Sequence, residues 1–168
     1  MISIKEAWGL IKGTSRYNHA LAVSVMMKVL ARRLGKNEEL WELVGLLHDL
    51  DYDVTRGDMS KHGLVSAKML KGRLPEHELY AIKAHDYRTG FKPRTSLDCA
   101  LVATDTLAVF LEKTKKVTSE LTVESVLSEI DSASESQPWI KSNLRKCKAM
   151  KIGLNEFLEV CLSTLKKE

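Results

Sequence analysis

Residues 40–53 read LWELVGLLHDLDYD, and the reading of the whole chain turns on how this stretch ends. Leu40, Trp41, Val44 and Leu47 recur at helical spacing, and Asn37 stands where a helix N-cap is favoured. The apolar face stops at His48-Asp49, an imidazole and a carboxylate side by side. A carboxylate buried beside such a run is costly unless a cation compensates it. Helix neighbours point about 100° apart, so this pair can face one cation only at a helix end or a local irregularity.

Outward from this segment the texture stays helical. Ser3 caps a short helix through Lys12 and Gly13; Thr14 or Ser15 then opens a long one to about Leu34, ended by Gly35. Residues 49–60, DLDYDVTRGDMS, read as a polar loop. Ser60 begins a fourth helix with Leu64, Ala67, Met69 and Leu70 on its apolar side. Pro75 lies in the first turn of a fifth, which runs through Leu79 and Ile82 to His85. Residues 86–96, DYRTGFKPRTS, form an irregular basic loop. Ser96 caps a sixth helix whose interior, LDCALVATDTLAVFL, is apolar enough to be central. After Lys116, Thr122–Ile130 is a short helix and residues 131–137, DSASESQ, a loop. Pro138 opens a helix to about Met150, and Gly153 separates it from a last one, Leu154–Leu165. No stretch alternates with period two long enough to argue a sheet. The expected fold is all-α, a compact helical bundle with additional C-terminal helices, in one domain over residues 1–168.

All five histidines, 19, 48, 62, 77 and 85, fall in the first half of the chain. Imidazoles mixed with carboxylates suit Mn, Fe, Co, Ni or Zn, with Mg as a further candidate. Taken singly, His19 in RYNHALAVSVMM reads sooner as a satisfied core histidine than as a ligand. Asp105 in ALVATDTLAVFL, taken alone, reads sooner as a hydrogen-bonded core acid or one salt-bridged to an arginine than as a ligand. Arg16 stands one turn before His19 on the same face. His77, with polar neighbours, is assigned to the surface.

The order His19, His48-Asp49, Asp105, each interrupting an apolar helix, resembles the H…HD…D signature of the HD superfamily of metal-dependent phosphohydrolases. The doublet occurs as LLHD, a familiar form of that motif, and KHG at His62 and AIKAHD at His85 are similar to the extra histidines of two-metal members. The resemblance covers about residues 14–112, with a helical extension over about 118–168. It implies that His19, His48, Asp49 and Asp105 hold a first divalent ion, and that Asp49 bridges to a second held also by His62 and His85. Asp86 stands where some two-metal members carry another histidine, and Ser15 where three-metal members carry an acid, which argues against a third ion. The implied activity is hydrolysis of a phosphate ester or anhydride by metal-activated water, with a small phosphorylated substrate, in first place a nucleotide. Asp53 or Asp86 is the candidate proton shuttle. Arg16, Lys61, Lys83, Arg88, Lys92 and Arg94 are candidate substrate-binding cations, with ordinary solvated charge as the other reading of that basic loop. The alternative to an enzyme is a catalytically inactive HD module that binds a ligand or partner.

Composition narrows the remaining classes. Residues 1–140 carry equal numbers of acidic and basic side chains, so the net charge of +4 sits in the C-terminal tail. Without a dense basic stripe interleaved with aromatics, nucleic-acid binding is not expected. No apolar run approaches the roughly 18 residues of a membrane span. Three cysteines without a CxxC pair and no leader-like N-terminus place the chain in the cytoplasm as an expectation. Nothing in the sequence specifies an oligomeric state.

Overall fold

A computed structural model describes residues 1–114 and 121–165. Among them no strand forms; the one β-type contact is an isolated bridge between Lys71 and Leu74. The fold is all-α. Helix α1 (Ile4–Ile11) begins in a capping box: Ser3 Oγ accepts from the Glu6 N–H, and the Glu6 carboxylate accepts from the Ser3 N–H at 2.9 Å. Helices α2 (Tyr17–Arg33) and α3 (Glu38–Leu47) form an antiparallel pair. Gly35 turns the chain between them in the left-handed region (φ 62°), and Asn37 Oδ1 caps α3 by accepting from the Leu40 N–H at 3.0 Å.

The α2–α3 pair packs so closely that a Cβ on Gly45 would lie 2.8 Å from the Ser24 Cα. Any side chain at 45 must therefore push the two backbones apart. Gly45→Ala is expected to cost about 1–3 kcal/mol in denaturant unfolding, the usual range for overpacking.

Two short helices follow, α4 (Tyr52–Thr55) and α5 (Leu64–Met69), then α6 (Glu76–Ala84). Helix α7 (Ser96–Thr114) packs against α2, α3, α6 and α9 and buries nearly every residue from Leu97 to Ala108. Helices α8 (Val123–Ser136), α9 (Pro138–Leu144) and α10 (Leu154–Leu162) complete the order. One buried cluster runs from Ile2 and Ala7 through Met26, Leu47 and Leu101 to Phe157 and Leu162.

Several expected boundaries move, each for a visible reason. The long helix starts at Tyr17 rather than Thr14 or Ser15, because Ser15 is drawn away: its N–H and hydroxyl both donate to Asp53. The polar stretch 49–60 is not loop throughout but holds α4 and a 3-10 turn at Met59–Lys61. The fourth helix begins at Leu64 and not at Ser60. Its first turn is capped from a distance by Asp51, which accepts from the N–H groups of Gly63 (2.8 Å) and Ser66 (2.9 Å). Thr95 rather than Ser96 supplies the cap of α7, exchanging hydrogen bonds with Asp98. Residues 131–136 continue α8 instead of forming a loop: Ser132 and Ser136 return their hydroxyls to the carbonyls of Ser128 and Ala133, and no glycine or proline interrupts before Pro138. The helix from Pro138 ends at Leu144 and tightens into a 3-10 segment, Arg145–Met150. The expected start of the C-terminal extension near 118, and the basic residues Lys166 and Lys167, lie outside the described residues.

Candidate metal centre

Five elements deliver side chains to one buried point. His19 comes from α2, the His48-Asp49 doublet from the end of α3, His62 from the extended residue before Gly63, His85 from the end of α6 and Asp105 from α7. His19 Nε2 lies 3.0 Å from Asp105 Oδ1 and 3.7 Å from Asp49 Oδ2. The other Asp49 oxygen, Oδ1, faces Nε2 of His62 at 3.0 Å, of His48 at 3.3 Å and of His85 at 3.5 Å. His48 and Asp49 share this centre because helical hydrogen bonding lapses at the end of α3, which is what the doublet requires.

The outward nitrogens fix the rings. His48 Nδ1 donates to the Gly45 carbonyl (2.7 Å) and His85 Nδ1 to the Ile82 carbonyl (2.6 Å). His62 Nδ1 donates to Asp51 (2.9 Å) and His19 Nδ1 to Glu112 (2.8 Å). A carbonyl or carboxylate oxygen can only accept, so each Nδ1 carries a hydrogen and each ring turns Nε2 inward. This backing of imidazoles by carbonyls and carboxylates is how metal-ligating histidines are oriented. Gly63 serves the same arrangement. It adopts φ 81°, and a Cβ there would meet the Ile82 carbonyl at 2.6 Å and the His85 ring at 3.0 Å.

The inward atoms call for a cation. His48 Nε2 is fully buried and has no hydrogen-bond partner. His62 and His85 bring Nε2 atoms within 3.1 Å of each other, where two lone pairs repel unless a proton or a metal lies between them. His19, His48 and Asp105 offer ligand atoms all within 4.8 Å of one another, as do His48, Asp49 and His85. The donor set fits one or two divalent ions. The neighbours of Asp105 are the imidazoles of His19, at 3.0 Å, and His48, at 3.7 Å, and no arginine pairs with it among the described residues.

Electrostatics agree with this clustering. Burial disfavours the charged rings of His19 and His62, yet hydrogen bonds to Asp105 and Glu112, and to Asp49 and Asp51, override it and hold both pKa values at about 9. Burial also opposes ionisation of Asp49 and Asp105, but the surrounding imidazoles hold both carboxyls well below the usual range. A raised histidine pKa contributes stability that is complete below its unfolded value near 6.5 and is lost as the pH climbs through the folded one. Protein stripped of divalent ions is therefore expected to melt several degrees lower at about pH 10 than at about pH 7. A melting temperature that holds level across that range contradicts the pairing.

The centre opens into a cavity of about 610 Å³, within the range of small-molecule pockets. Asp49, His62, His85 and Asp105 form its floor, and Arg16, Arg56, Asp86 and Arg88 line it. Arg16 donates to Asp49 at 2.9 Å and lies over the Tyr52 ring. Arg88 is clamped to Asp86.

The other sequence candidates sit elsewhere. Asp53 is exposed and engaged by Ser15, outside the cavity lining. Lys61 pairs with Asp58, Lys83 lies over Phe91, and Arg94 lies over Tyr80. Lys92 gives its carbonyl to Tyr80 and does not line the cavity. His77 is exposed beside Glu78. Asp51, Arg56 and Glu112 were missed by sequence reading. Asp51 is visible as the second acid of LLHDLD, whereas Glu112 counts only once α7 is known to pass His19.

Comparison with known proteins gives one match: the model of the family described as HD domain matches residues 16–134. No curated protein and no solved structure matches the chain.

Proposed function

The chain belongs to the HD-domain family, and from that premise we propose that it is a metal-dependent phosphohydrolase cleaving a phosphate ester or anhydride of a nucleotide. The observation that carries this reading is the set of four inward Nε2 atoms around Asp49 at the floor of an open, arginine-lined cavity. His19, His48, Asp49 and Asp105 would hold one divalent ion, and Asp49, His62 and His85 a second. Such ions, when bound, lower the pKa of water and offset charge on phosphoryl oxygens.

The chain's own groups do the rest. Arg16, Arg56 and Arg88 bring guanidinium donors to the cavity wall, where they can take phosphate oxygens in paired hydrogen bonds. The Tyr52 ring and the Asp49 and Glu112 carboxylates hold Arg16 in place before substrate arrives. Asp86 is the carboxylate we assign to accepting a proton. Burial works against its charge, but Arg88 keeps its pKa below the usual range, so it is ionised at neutral pH. Lys61, Lys83, Lys92, Arg94 and Asp53 drop out of the assigned set by position. The free thiols of Cys99, Cys147 and Cys161 support a cytoplasmic setting.

The test is elemental analysis of the purified protein, followed by phosphate release from a nucleotide panel with Mn, Co, Ni, Zn or Mg added. Metal bound near stoichiometry and turnover of at least one nucleotide is the expected result. Tight metal binding with no phosphate released from any compound would instead support the inactive module.

A further inference from the structure

The cavity has a second wall that the phosphate chemistry does not use. Beyond Asp105 and Thr106 on α7 it is lined by Val109, and by Trp139 and Asn143 on α9. Trp139 and Asn143 are four residues apart, on one face of that helix, and both lie after the last residue matched to the family, 134. Trp139 is 44% exposed at the cavity wall, with Lys113 Nζ 6.0 Å from its ring centroid. Val109 and Trp139 also line an adjoining hollow of about 460 Å³ between α7, α8 and α9. The space therefore runs from the imidazole–carboxylate floor, past the arginines, to an apolar surface with an indole in it.

Asn143 sharpens this wall. Its amide donates to Thr106 Oγ1 at 3.2 Å and accepts from Lys146 Nζ at 2.9 Å, which fixes which way the amide faces. One N–H and one carbonyl lone pair remain for a ligand. A planar ring with a polar edge is the chemistry that suits an indole face beside an oriented amide; a sugar phosphate alone would leave the indole wet.

We propose that Trp139, Val109 and Asn143 form the subsite for the leaving group, stacking the heteroaromatic base of a nucleoside phosphate, and that Trp139 determines specificity for substrates that carry one. This deepens the reading of the site as a phosphohydrolase and rests on it for the turnover arm of the test only. Thr106, which holds the Asn143 amide, follows Asp105 directly, so one stretch of α7 carries both the base wall and an acid of the centre.

The experiment compares the purified protein with Trp139→Phe and Trp139→Ala. Tryptophan emission is titrated with AMP, GMP, CMP and UMP, and with ribose 5-phosphate as the baseless control. The other indoles do not line the cavity: Trp41 is buried in the core and Trp8 packs on Tyr17. At least one nucleotide is expected to quench emission in the parent protein while ribose 5-phosphate does not, with quenching lost in Trp139→Phe. In turnover, Trp139→Ala should raise KM for the nucleotide about tenfold or more, leave KM for ribose 5-phosphate unchanged, and be largely rescued by phenylalanine. The proposal is overturned if no nucleotide quenches, if quenching survives in Trp139→Phe, or if alanine raises both KM values alike. Should the parent protein hydrolyse nothing, the phosphohydrolase reading fails while the quenching arm still decides the subsite.

Discussion

Asp49→Ala is expected to abolish both metal retention and turnover. Its two oxygens face Nε2 atoms of all four clustered histidines and also take the Arg16 guanidinium. Lewis-acid and water-activating effects of divalent ions amount to several kcal/mol, so losing them lowers kcat by about 10³-fold or more. Stability should follow. An ion that binds only the folded state raises the melting temperature, and the gap between ion-loaded and chelator-treated protein should close in the variant. His77→Ala is the control: the ring is exposed on α6 and its partner is the adjacent Glu78, so metal content, turnover and melting should match the parent. Equal losses in both variants would remove Asp49 from the centre of the site.

The second large effect belongs to Asp51, a fully buried carboxylate that no part of the motif names. It accepts from the N–H groups of Gly63 and Ser66 at the start of α5 and from His62 Nδ1. Alanine leaves three buried donors without an acceptor. At about 1–3 kcal/mol for each lost partner, and with partial relaxation, unfolding should become easier by about 3–5 kcal/mol. Asp51→Asn separates two roles. Its amide oxygen still accepts from the α5 backbone, so much of the stability returns. The charged acceptor behind His62 does not, and metal affinity should remain about 10- to 100-fold weaker. Denaturant unfolding and chelator competition on both variants decide this. If the asparagine variant binds metal as tightly as the parent, Asp51 serves the helix alone.

These expectations show what the sequence made legible. The candidate ligands His19, His48, Asp49 and Asp105 stand out because each ends or interrupts an apolar helix, where a buried charge without a partner is costly. The helical class followed from periodicity. Less legible was anything set by contacts between distant segments. Asp51 caps a helix twelve residues away, which moved the start of α5 from Ser60 to Leu64. Ser15 capped nothing because Asp53 claimed it across 38 residues. The basic residues of 83–94 looked like a phosphate grip as a run of charge. In three dimensions Arg88 lines the cavity while Lys83 and Arg94 lie over aromatic rings. The serine-rich 131–136 looked like a turn by composition, yet its hydroxyls bond back along a continuing helix.

The spread of the ligands along the chain has one more consequence. His19 and Asp105 touch across 86 residues, and the groups between them hang on three further elements. His48, Asp49, His62 and His85 fall within residues 48–85, but His19 and Asp105 come from helices on either side of that stretch, so the full set needs residues 19–105. Sequence-distant contacts close late in folding, after the loops between them have been ordered. On the proposed reading, an ion would find its full ligand set only once the tertiary structure is complete.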